Sequence, residues 1–233
     1  MNIVGISGLE NSVPFKKAAW PGLEEREYRI SQGHDAAAAL VIDGSPVAAA
    51  AEERFNRQKH SARFPACAIG YCLSEARLAP HDIDEIAHGF DYSPYRDIYS
   101  LDPITARLHR EVFSREALLA LVNRGMPGFP EERVHHVSHH LAHAASAYFT
   151  SGWDDCLVVV VDAMGEAQGA SIYHGHDSKL DKLREISAHD SIGILYSLVT
   201  FHLGFDFNSD EYKIMGLAPY GDPAHFRRWI ERE

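Results

Sequence analysis

The amino-acid sequence predicts an α/β fold, and three features carry that prediction. Residues 2–7 (NIVGIS), 36–42 (AAAALVI) and 47–52 (VAAAAE) are short apolar runs that indicate an opening meander of three strands. Segments with helical spacing of apolar residues then alternate with further strands. The most apolar of these strands, residues 156–162 (CLVVVVD), is expected to be central and buried on both faces.

The other elements follow from local signals. Residues 9–33 contain Pro14, Pro21 and Gly22 and predict a long loop or small excursion between the first two strands. The elements predicted after the meander are, in order, a helix opened by Phe64 and Pro65, a strand at 84–90, a helical segment from Asp102 to Gly125, a strand at 133–137, a helix capped by Ser138 that runs through Phe149, the 156–162 strand, a strand at 169–174, a helix from Ile192 to Leu203 and a last helix begun by Asp222 and Pro223.

The resulting order, βββαβαβαββα, is the ribonuclease-H-like order that actin-type (ASKHA) ATPases use, so the predicted class is an actin-like nucleotide-binding fold. We expect residues 1–186 to form a first ribonuclease-H-like subdomain with an insertion at 9–33, and residues 187–233 to begin a second. The chain ends at FRRWIERE, within a helical pattern. We therefore expect it to be a truncated part of a longer polypeptide.

Composition narrows the class of partner. With 22 Lys and Arg against 33 Asp and Glu, the formal net charge is −11, which argues against a nucleic-acid partner. A small anion such as ATP stays compatible, because helix N-termini and a bound cation can create a local positive site. The sequence shows neither a signal peptide nor an apolar run of ~18 residues, and Cys67, Cys72 and Cys156 are expected to be reduced core thiols. These features predict a cytoplasmic protein that is not bound to a membrane.

The segment VHHVSHHLAHAAS places five histidines within nine residues. Two histidines four residues apart on one helix face direct both imidazoles toward one point, as a divalent metal requires. The pairs His139/His143 and His136/His140 have this spacing. If Ser138 caps the helix, His136 lies outside it, so the first pair is preferred. The alternative is that these are ordinary surface or core histidines.

Asp162 ends the apolar strand that follows this helix, where ligands bind in open α/β sheets. Two imidazoles and one carboxylate form a facial set that suits Fe(II) and also fits Zn(II) or Mn(II). The surrounding VDAMGEAQG (161–169) is typical of a turn that places a carboxylate and backbone amides near nucleotide phosphates and their Mg²⁺. The alternative is a plain hairpin with an acidic turn.

Two further segments could carry chemistry. GHDAAAAL (33–40) places His34 and Asp35 at the start of the second strand, beside the first hairpin. In AEERFNRQKH (51–60), Arg54, Arg57 and Lys59 follow the third strand, where cations could meet phosphate or carbamoyl oxygens. The alternative is a solvated run of charges. SDEYKIMGLAPYGDP (209–223) has too many Gly and Pro residues for a helix and predicts an ordered, functional loop, or else an irregular connection.

Together these segments resemble the NodU/CmcH family of carbamoyltransferases, which O-carbamoylate nodulation factors, cephamycins and aminoglycosides. The resemblance lies in GHDAAAALVIDG, AAAEERFNRQKH, HHLAHAASAYFTSGW, VVVDAMGE and EYKIMGLAPYGDP, in that order. It implies a Kae1-like domain followed by a YrdC-like domain in the same polypeptide. The YrdC-like part would make carbamoyl adenylate from carbamoyl phosphate and ATP, and the Kae1-like part would pass the carbamoyl group to an acceptor hydroxyl.

Carried onto this sequence, the resemblance implies His139, His143 and Asp162 as metal ligands, with a further Asp expected beyond residue 233. It implies His34 at the reacting hydroxyl and Lys59 at the adenylate or carbamoyl oxygens. We expect two segments to bind the nucleotide. The first contributes Asp162, Gly165 and Glu166 of VDAMGEAQG, and the second contributes Lys213 and Gly216 of EYKIMGLAPYG.

Two departures affect these expectations. The family usually has Gly directly after the strand-end Asp, where this chain has Ala163, so a left-handed turn there would be strained or replaced. The 9–33 insertion lies beside the predicted acceptor pocket, so the resemblance does not predict which acceptor binds there. The expected partners are a small-molecule hydroxyl acceptor from secondary metabolism (such as antibiotic biosynthesis), ATP with Mg²⁺, carbamoyl phosphate and, as an open option, a second copy in a homodimer.

Two alternatives to this function stay open. One is a Kae1-like threonylcarbamoyl transferase acting on tRNA, against which the charge of −11 argues. The other is a non-catalytic module that binds a metal or a nucleotide.

Overall fold

The computed structural model describes residues 1–230 and confirms a mixed α/β fold with a mixed sheet. Five strands form one sheet in the order β3-β2-β1-β4-β5, and three form a second in the order β6-β7-β8. The meander β1–β3 is antiparallel, whereas β4 and β5 add in parallel to β1, as the ribonuclease-H-like order requires. The strands are β1 Asn2–Ile6, β2 Ala37–Ile42, β3 Ser45–Ala51, β4 Glu85–His88, β5 Val134–His136, β6 Asp155–Gly165, β7 Gln168–His176 and β8 Lys179–Ser187.

Helices cover and connect the sheets. The α-helices are α1 Ser12–Ala19, α2 Glu25–Tyr28, α3 Glu53–Asn56, α4 Ala66–Ala76, α5 Arg96–Tyr99, α6 Pro103–Leu108, α7 Arg115–Gly125, α8 His139–Ser151, α9 Ile192–His202, α10 Glu211–Leu217 and α11 Ala224–Ile230. Shorter 3-10 turns lie at Pro80–Asp82, Ser93–Tyr95, Glu131–Arg133, Ala188–Asp190 and Ala218–Tyr220, with a π-helical turn at His109–Phe113.

The main core lies between the five-stranded sheet and helices α4 and α7. Alternate residues of the strands point into it, so Val4, Leu40, Ile86 and Val134 are fully buried. Cys72 of α4 packs among them. Cys156 is half-buried and Cys67 is exposed, so the expectation of three core thiols is wrong for Cys67.

The second sheet corrects the interpretation of the 156–162 strand. β6 is an edge strand rather than a central one, and it runs on to Gly165. Val158 and Val160 face the core, whereas Leu157 and Val159 are 64% and 60% exposed. The prediction of two buried faces treated a run of consecutive apolar residues as if both faces had to be covered. β8 was not predicted, because its sequence KLDKLREIS is mostly charged.

Three helical predictions also change. The 9–33 excursion contains α1 and α2, held together by the Lys16 ammonium, which donates to the carbonyls of Glu27 and Ile30 at 2.6 and 2.7 Å. The helical segment predicted from 102 to 125 is interrupted at Ser114, whose extended backbone and hydroxyl cap α7. The loop predicted at 209–223 contains α10, so that prediction is wrong; Gly216 sits in the helix despite its low helical propensity.

Among residues 1–230, none of the helices has the length and apolar character needed to cross a bilayer. The predicted subdomain boundary at 186/187 stays a prediction, and so does the cytoplasmic location.

Burial of His88 at the end of β4 makes the fold sensitive to acid. Burial lowers the pKa of His88 from 6.5 to about 4, against the opposing effect of its hydrogen bond to the Gly8 carbonyl. As the pH falls from 6.5 toward 4, His88 therefore binds a proton in the unfolded chain but not in the folded chain. We expect this one group to remove ~3 kcal/mol of stability across that window and to contribute nothing above it.

Urea unfolding of the wild type and of His88→Gln at pH 7 and at pH 4.5 tests this expectation. The glutamine variant should lose less stability on acidification than the wild type does. An equal loss in both proteins would show that other groups cause the acid sensitivity. His81→Gln, at an exposed histidine, is the control and should behave as the wild type.

Candidate metal and transfer site

Helix α8 and strand β6 bring His139, His143 and Asp162 together. The two histidines stand one turn apart at the start of α8, so their rings share one face of the helix. The ladder between β6 and β7 is irregular between Val161 and Gly165, which turns Asp162 toward that face. Because β6 runs on to Gly165, Asp162 lies within the strand rather than at its end, where the sequence had predicted it.

The three side chains converge. Nε2 of His139 lies 2.9 Å from Oδ2 of Asp162 and 3.1 Å from Nε2 of His143, and the latter nitrogen lies 3.9 Å from the same oxygen. Donor atoms bound to one ion at about 2.0–2.2 Å stand roughly 3 Å apart. The spacing of this set is therefore what a single divalent cation needs.

Neighbouring groups fix the orientation of His139. Its Nδ1 lies 3.0 Å from the carbonyl of Gly89, which can only accept, so Nδ1 donates and Nε2 holds the lone pair of the neutral ring. The ring stacks on Phe90 with centroids 4.4 Å apart. A carbonyl behind one ring nitrogen and a convergent centre in front of the other is the usual environment of a metal-binding histidine.

The charges of the site match this geometry. The hydrogen bond from His139 holds the pKa of Asp162 at about 2, although burial opposes the shift. Burial alone would lower the pKa of His139, but its hydrogen bonds to Asp162 and to the Gly89 carbonyl raise it overall. Burial and the adjacent His139 lower the pKa of His143. His139 donates from Nε2 to Asp162 when both of its ring nitrogens are protonated, and a divalent ion would replace that Nε2 proton.

The donor set therefore fits the metal that the sequence implied, since two imidazole nitrogens and a carboxylate suit Fe(II), Zn(II) or Mn(II). The second pair considered from the sequence does not converge. His136 donates from Nδ1 to the carbonyl of Phe90 at 2.7 Å, and His140 is buried with its Nδ1 2.8 Å from the hydroxyl of Ser171.

The backbone at Asp162 is held by α9. The hydroxyl of Ser191 donates to the Asp162 carbonyl at 2.9 Å, and a Cβ on Gly193 would lie 2.7 Å from backbone atoms of Ala163. Ala163 does not have a positive φ. In this turn the positive φ belongs to Glu166, at 48°. The Ala in place of the family's Gly is therefore accommodated without left-handed strain.

Glu166 lies behind the histidines with its carboxylate buried. One oxygen, Oε1, accepts from the backbone N–H groups of His139 at 2.9 Å and Asp91 at 2.8 Å. An acidic side chain at this point satisfies the first N–H of α8 and interacts favourably with the helix dipole. Glu166 thus positions His139. Its assignment to the nucleotide stays a prediction.

Replacing Glu166 tests the capping role. Glu166→Ala leaves two backbone N–H groups without their acceptor, and we expect the free energy of unfolding to fall by about 2–4 kcal/mol. Glu166→Gln keeps an oxygen at the same place and should recover more than half of that loss. Chemical denaturation measures both values. Equal stability of the alanine variant and the wild type would contradict the role.

His34 and Lys59 line one cavity of about 640 Å³, formed by the excursion, the segment after α3 and the segment before α10. Nε2 of His34 lies 3.0 Å from the carbonyl of Arg29, so in the neutral ring Nε2 carries the proton and Nδ1 is the basic atom. The ammonium of Lys59 lies 5.4 Å from the centre of the Tyr212 ring. Its charge acts on the carboxylate of Asp210 and helps to lower the pKa of that group.

The cavity and the metal cluster are connected through the chain. The Gln32 side chain, two residues before His34, donates to the carbonyl of Met164, two residues after Asp162, at 3.1 Å. The ammonium of Lys213 is paired with the carboxylate of Asp210 at 2.7 Å and lies near the Phe205 ring.

The other nucleotide assignments stay predictions. Gly216 is exposed, with open space around its Cα, whereas Gly165 packs tightly against His139 and His140.

Sequence reasoning missed two polar residues of the cavity, His60 and Ser209. His60 was part of a quoted segment without a role, and Ser209 was at the edge of a predicted loop. Their side chains meet at 2.9 Å across 149 residues of sequence, and no local pattern indicates such a contact.

Fold and site together define an α/β protein with a candidate metal centre of two imidazoles and a carboxylate beside a polar cavity. The family model described as carbamoyltransferase N-terminus matches residues 28–230. The chain therefore belongs to that family.

Two curated relatives are each 37% identical to the chain. The uncharacterized protein sll1178 of Synechocystis matches over 210 residues, 82% of this chain and 34% of its own length. Nodulation protein NolNO of Sinorhizobium fredii matches over 211 residues, 85% of this chain and 29% of its own. The chain thus spans about a third of these relatives. Among solved structures, YeaZ from Pseudomonas aeruginosa is similar over 80% of this chain and 66% of its own, with 14% identity and a TM-score of 0.40.

Proposed function

We propose that the chain is the metal-binding first part of an ATP-dependent O-carbamoyltransferase. The whole protein would move a carbamoyl group from carbamoyl phosphate, through carbamoyl adenylate, to a hydroxyl of a small-molecule acceptor. The observation that carries this proposal is the convergence of His139, His143 and Asp162, linked through Gln32 and Met164 to the cavity that holds His34. Membership in a family of carbamoyltransferase N-termini supports it.

Transfer requires that a hydroxyl lose its proton as it attacks the carbamoyl carbon. The acceptor oxygen forms the new C–O bond, the bond between that carbon and the adenylate phosphate oxygen breaks, and AMP leaves. Nδ1 of His34 faces away from the Arg29 hydrogen bond and can accept the hydroxyl proton. General-base assistance of this kind is worth about 10²–10⁴-fold in rate.

Lys59 supplies positive charge to the same cavity. Its ammonium is exposed and can donate to the adenylate phosphate or to the carbamoyl oxygen, where negative charge develops. A divalent ion held by His139, His143 and Asp162 would act as a Lewis acid toward carbonyl or phosphoryl oxygens. Formation of carbamoyl adenylate is assigned to a YrdC-like domain of the whole protein.

The test uses the full-length protein with ATP, carbamoyl phosphate and a panel of polyhydroxylated acceptors. We expect AMP release that depends on carbamoyl phosphate, and a carbamate ester on one class of acceptor. His34→Ala and Lys59→Ala should each slow carbamoyl transfer by at least about 100-fold. Both should keep the exchange of pyrophosphate into ATP that reports adenylate formation.

The control variant is His81→Ala, at an exposed histidine that has no role in the proposed mechanism. It should transfer the carbamoyl group at the wild-type rate. Two results would contradict the proposal. One is the absence of AMP release dependent on carbamoyl phosphate. The other is unchanged transfer in both His34→Ala and Lys59→Ala.

A further inference from the structure

The excursion at residues 9–33 forms one side of the cavity that holds His34 and Lys59. This side, the excursion wall, is lined by Glu10, Val13, Pro14, Lys17, Glu25 and Arg29. The family description matches the chain from residue 28 onward, so α1, Lys17 and Glu25 lie outside the matched part. Most of the excursion wall is therefore a feature of this chain that the family match does not cover.

The histidine assigned to the acceptor hydroxyl is attached to this excursion. Nε2 of His34 lies 3.0 Å from the carbonyl of Arg29 and 3.1 Å from the hydroxyl of Ser31. A hydroxyl that gives its proton to Nδ1 of the same ring thus binds next to the excursion. Lys59 and Arg63, which suit the phosphate of the donor, belong instead to the segment after α3.

Ion pairs balance the charges of the excursion wall. The ammonium of Lys17 lies 2.8 and 3.0 Å from the two carboxylate oxygens of Glu25. The other two pairs are Arg29 with Asp206 at 2.8 Å and Glu10 with Arg124 at 2.6 Å. Each charged side chain of the excursion wall thus has an opposite charge beside it, and the wall as a whole is neutral.

The rest of the cavity lining differs in charge. Residues 58–63 and 207–209 contribute the cations Lys59 and Arg63, and none of the described lining residues in these two segments is a carboxylate. An anionic donor such as an adenylate is attracted to these cations. The two sides of the cavity therefore suit different molecules, an anion at the cations and an uncharged molecule at the excursion wall.

An uncharged polyol fits the excursion wall better than a charged acceptor does. Because the Lys17 ammonium donates and the Glu25 carboxylate accepts, adjacent hydroxyl groups, which do both, can bond to the two groups at once. Val13 and Pro14 offer apolar contact to the C–H groups of a ring. A charged acceptor would lose hydration and meet no net opposite charge. The cavity of about 640 Å³ has room for a sugar-sized ring beside the donor.

Contacts with the rest of the chain hold the excursion in place. The guanidinium of Arg26 lies 4.4 Å from the centre of the Phe201 ring. The side chain of Asn208 donates to the carbonyl of Ser31 at 3.3 Å. A wall that is fixed before its ligand arrives loses less entropy on binding, so it can discriminate between similar rings.

We propose that the ion pair of Lys17 and Glu25 binds an uncharged polyhydroxylated ring, such as a sugar or a cyclitol, and selects it over charged rings. That this ring is the carbamoyl acceptor rests on the proposed function, whereas its binding at the pair does not. Loss of either partner leaves one charge uncompensated. Glu25→Gln should then favour an anionic ring, and Lys17→Met should favour a cationic ring.

Binding to the full-length protein tests this selectivity. The probes are sets of methyl glycosides with gluco, galacto and manno stereochemistry, each set containing the neutral sugar, its 2-amino sugar and its uronic acid. A pH of about 6.5 keeps the amine protonated. Calorimetry without ATP or carbamoyl phosphate measures each dissociation constant. In at least one set, we expect the neutral sugar to bind the wild type about 5-fold more tightly than either charged sugar.

The two variants should shift the selectivity in opposite directions. Relative to the neutral sugar, Glu25→Gln should improve binding of the uronic acid by about 5-fold, and Lys17→Met should improve binding of the amino sugar to a similar extent. General damage to the wall would weaken all three rings alike and could not produce opposite shifts. The matched control is Glu185→Gln, in the exposed ion pair with Lys182 on β8, which should bind all three as the wild type does.

Transfer assays on the same sugars relate this binding site to the reaction. Three results would overturn the proposal: no neutral ring binds, a charged ring binds the wild type most tightly in every set, or the two variants fail to shift the selectivity in opposite directions. Selective binding without carbamoyl transfer to any ring would refute the proposed function and leave the binding site standing. Transfer to a ring whose binding neither variant alters would support the proposed function and overturn the role of the pair.

Discussion

Asp162→Ala is expected to prevent a divalent metal from binding at the proposed site and, in the full-length protein, to reduce the proposed carbamoyl transfer by at least about 100-fold. The carboxylate supplies one of three donor atoms and the only negative charge among them, and it lies 2.9 Å from the ring nitrogen of His139. Changes to groups that merely orient a ligand lower metal affinity by about 10–100-fold, so loss of a ligand should cost more. His139→Ala should have the same effect.

Metal content after dialysis, together with the dissociation constant for Zn²⁺ and Fe²⁺, measures this prediction without reference to activity. The matched controls are Asp155→Ala, at the exposed start of the same strand, and His135→Ala, at an exposed histidine paired with Glu85. Both should bind metal as the wild type does. If Asp162→Ala and His139→Ala retain a full equivalent, the metal lies elsewhere, and the convergence described above is a hydrogen-bonded cluster.

The sequence was sufficient to predict this cluster because each part has a local signature. Histidines at i and i+4 must share a helix face, and a strand that follows the helix delivers Asp162 to its start. The sequence did not predict the groups that lie behind the histidine ligands and orient them. The Gly89 carbonyl that fixes the ring of His139 and the Glu166 carboxylate that caps α8 are 50 and 27 residues away from it along the chain.

The errors in the fold have a related cause. The β6 strand was predicted to be central because its residues are apolar, but burial depends on which elements cover a face, and in residues 1–230 the outer face of β6 has Leu157 and Val159 exposed. β8 was missed because its charged side chains lie on an open sheet surface. Composition reports the average environment of a residue, whereas its position in a sheet is set by pairing over long distances in the sequence.

Gly165→Ala should displace His139 although it changes no ligand. A Cβ at this position would lie 2.7 Å from Cδ2 of both His139 and His140, a separation that real Cβ atoms essentially never show. Neither ring can retreat freely, because His139 is held between the Gly89 carbonyl and Phe90, and His140 is buried against Ser171. The methyl group must therefore move α8 or rotate His139 off the metal position.

We expect Gly165→Ala to lower the free energy of unfolding by about 1–3 kcal/mol and the metal affinity by at least 10-fold. The control is Gly5→Ala, also within a strand, where a Cβ would meet only the Ala39 carbonyl at 3.9 Å. That variant should bind metal normally. Because position 165 carries no donor atom, a selective loss of metal in Gly165→Ala can come only through the position of the imidazoles. Unchanged metal affinity in that variant would mean that the ring of His139 does not have to stay where the carbonyl of Gly89 holds it.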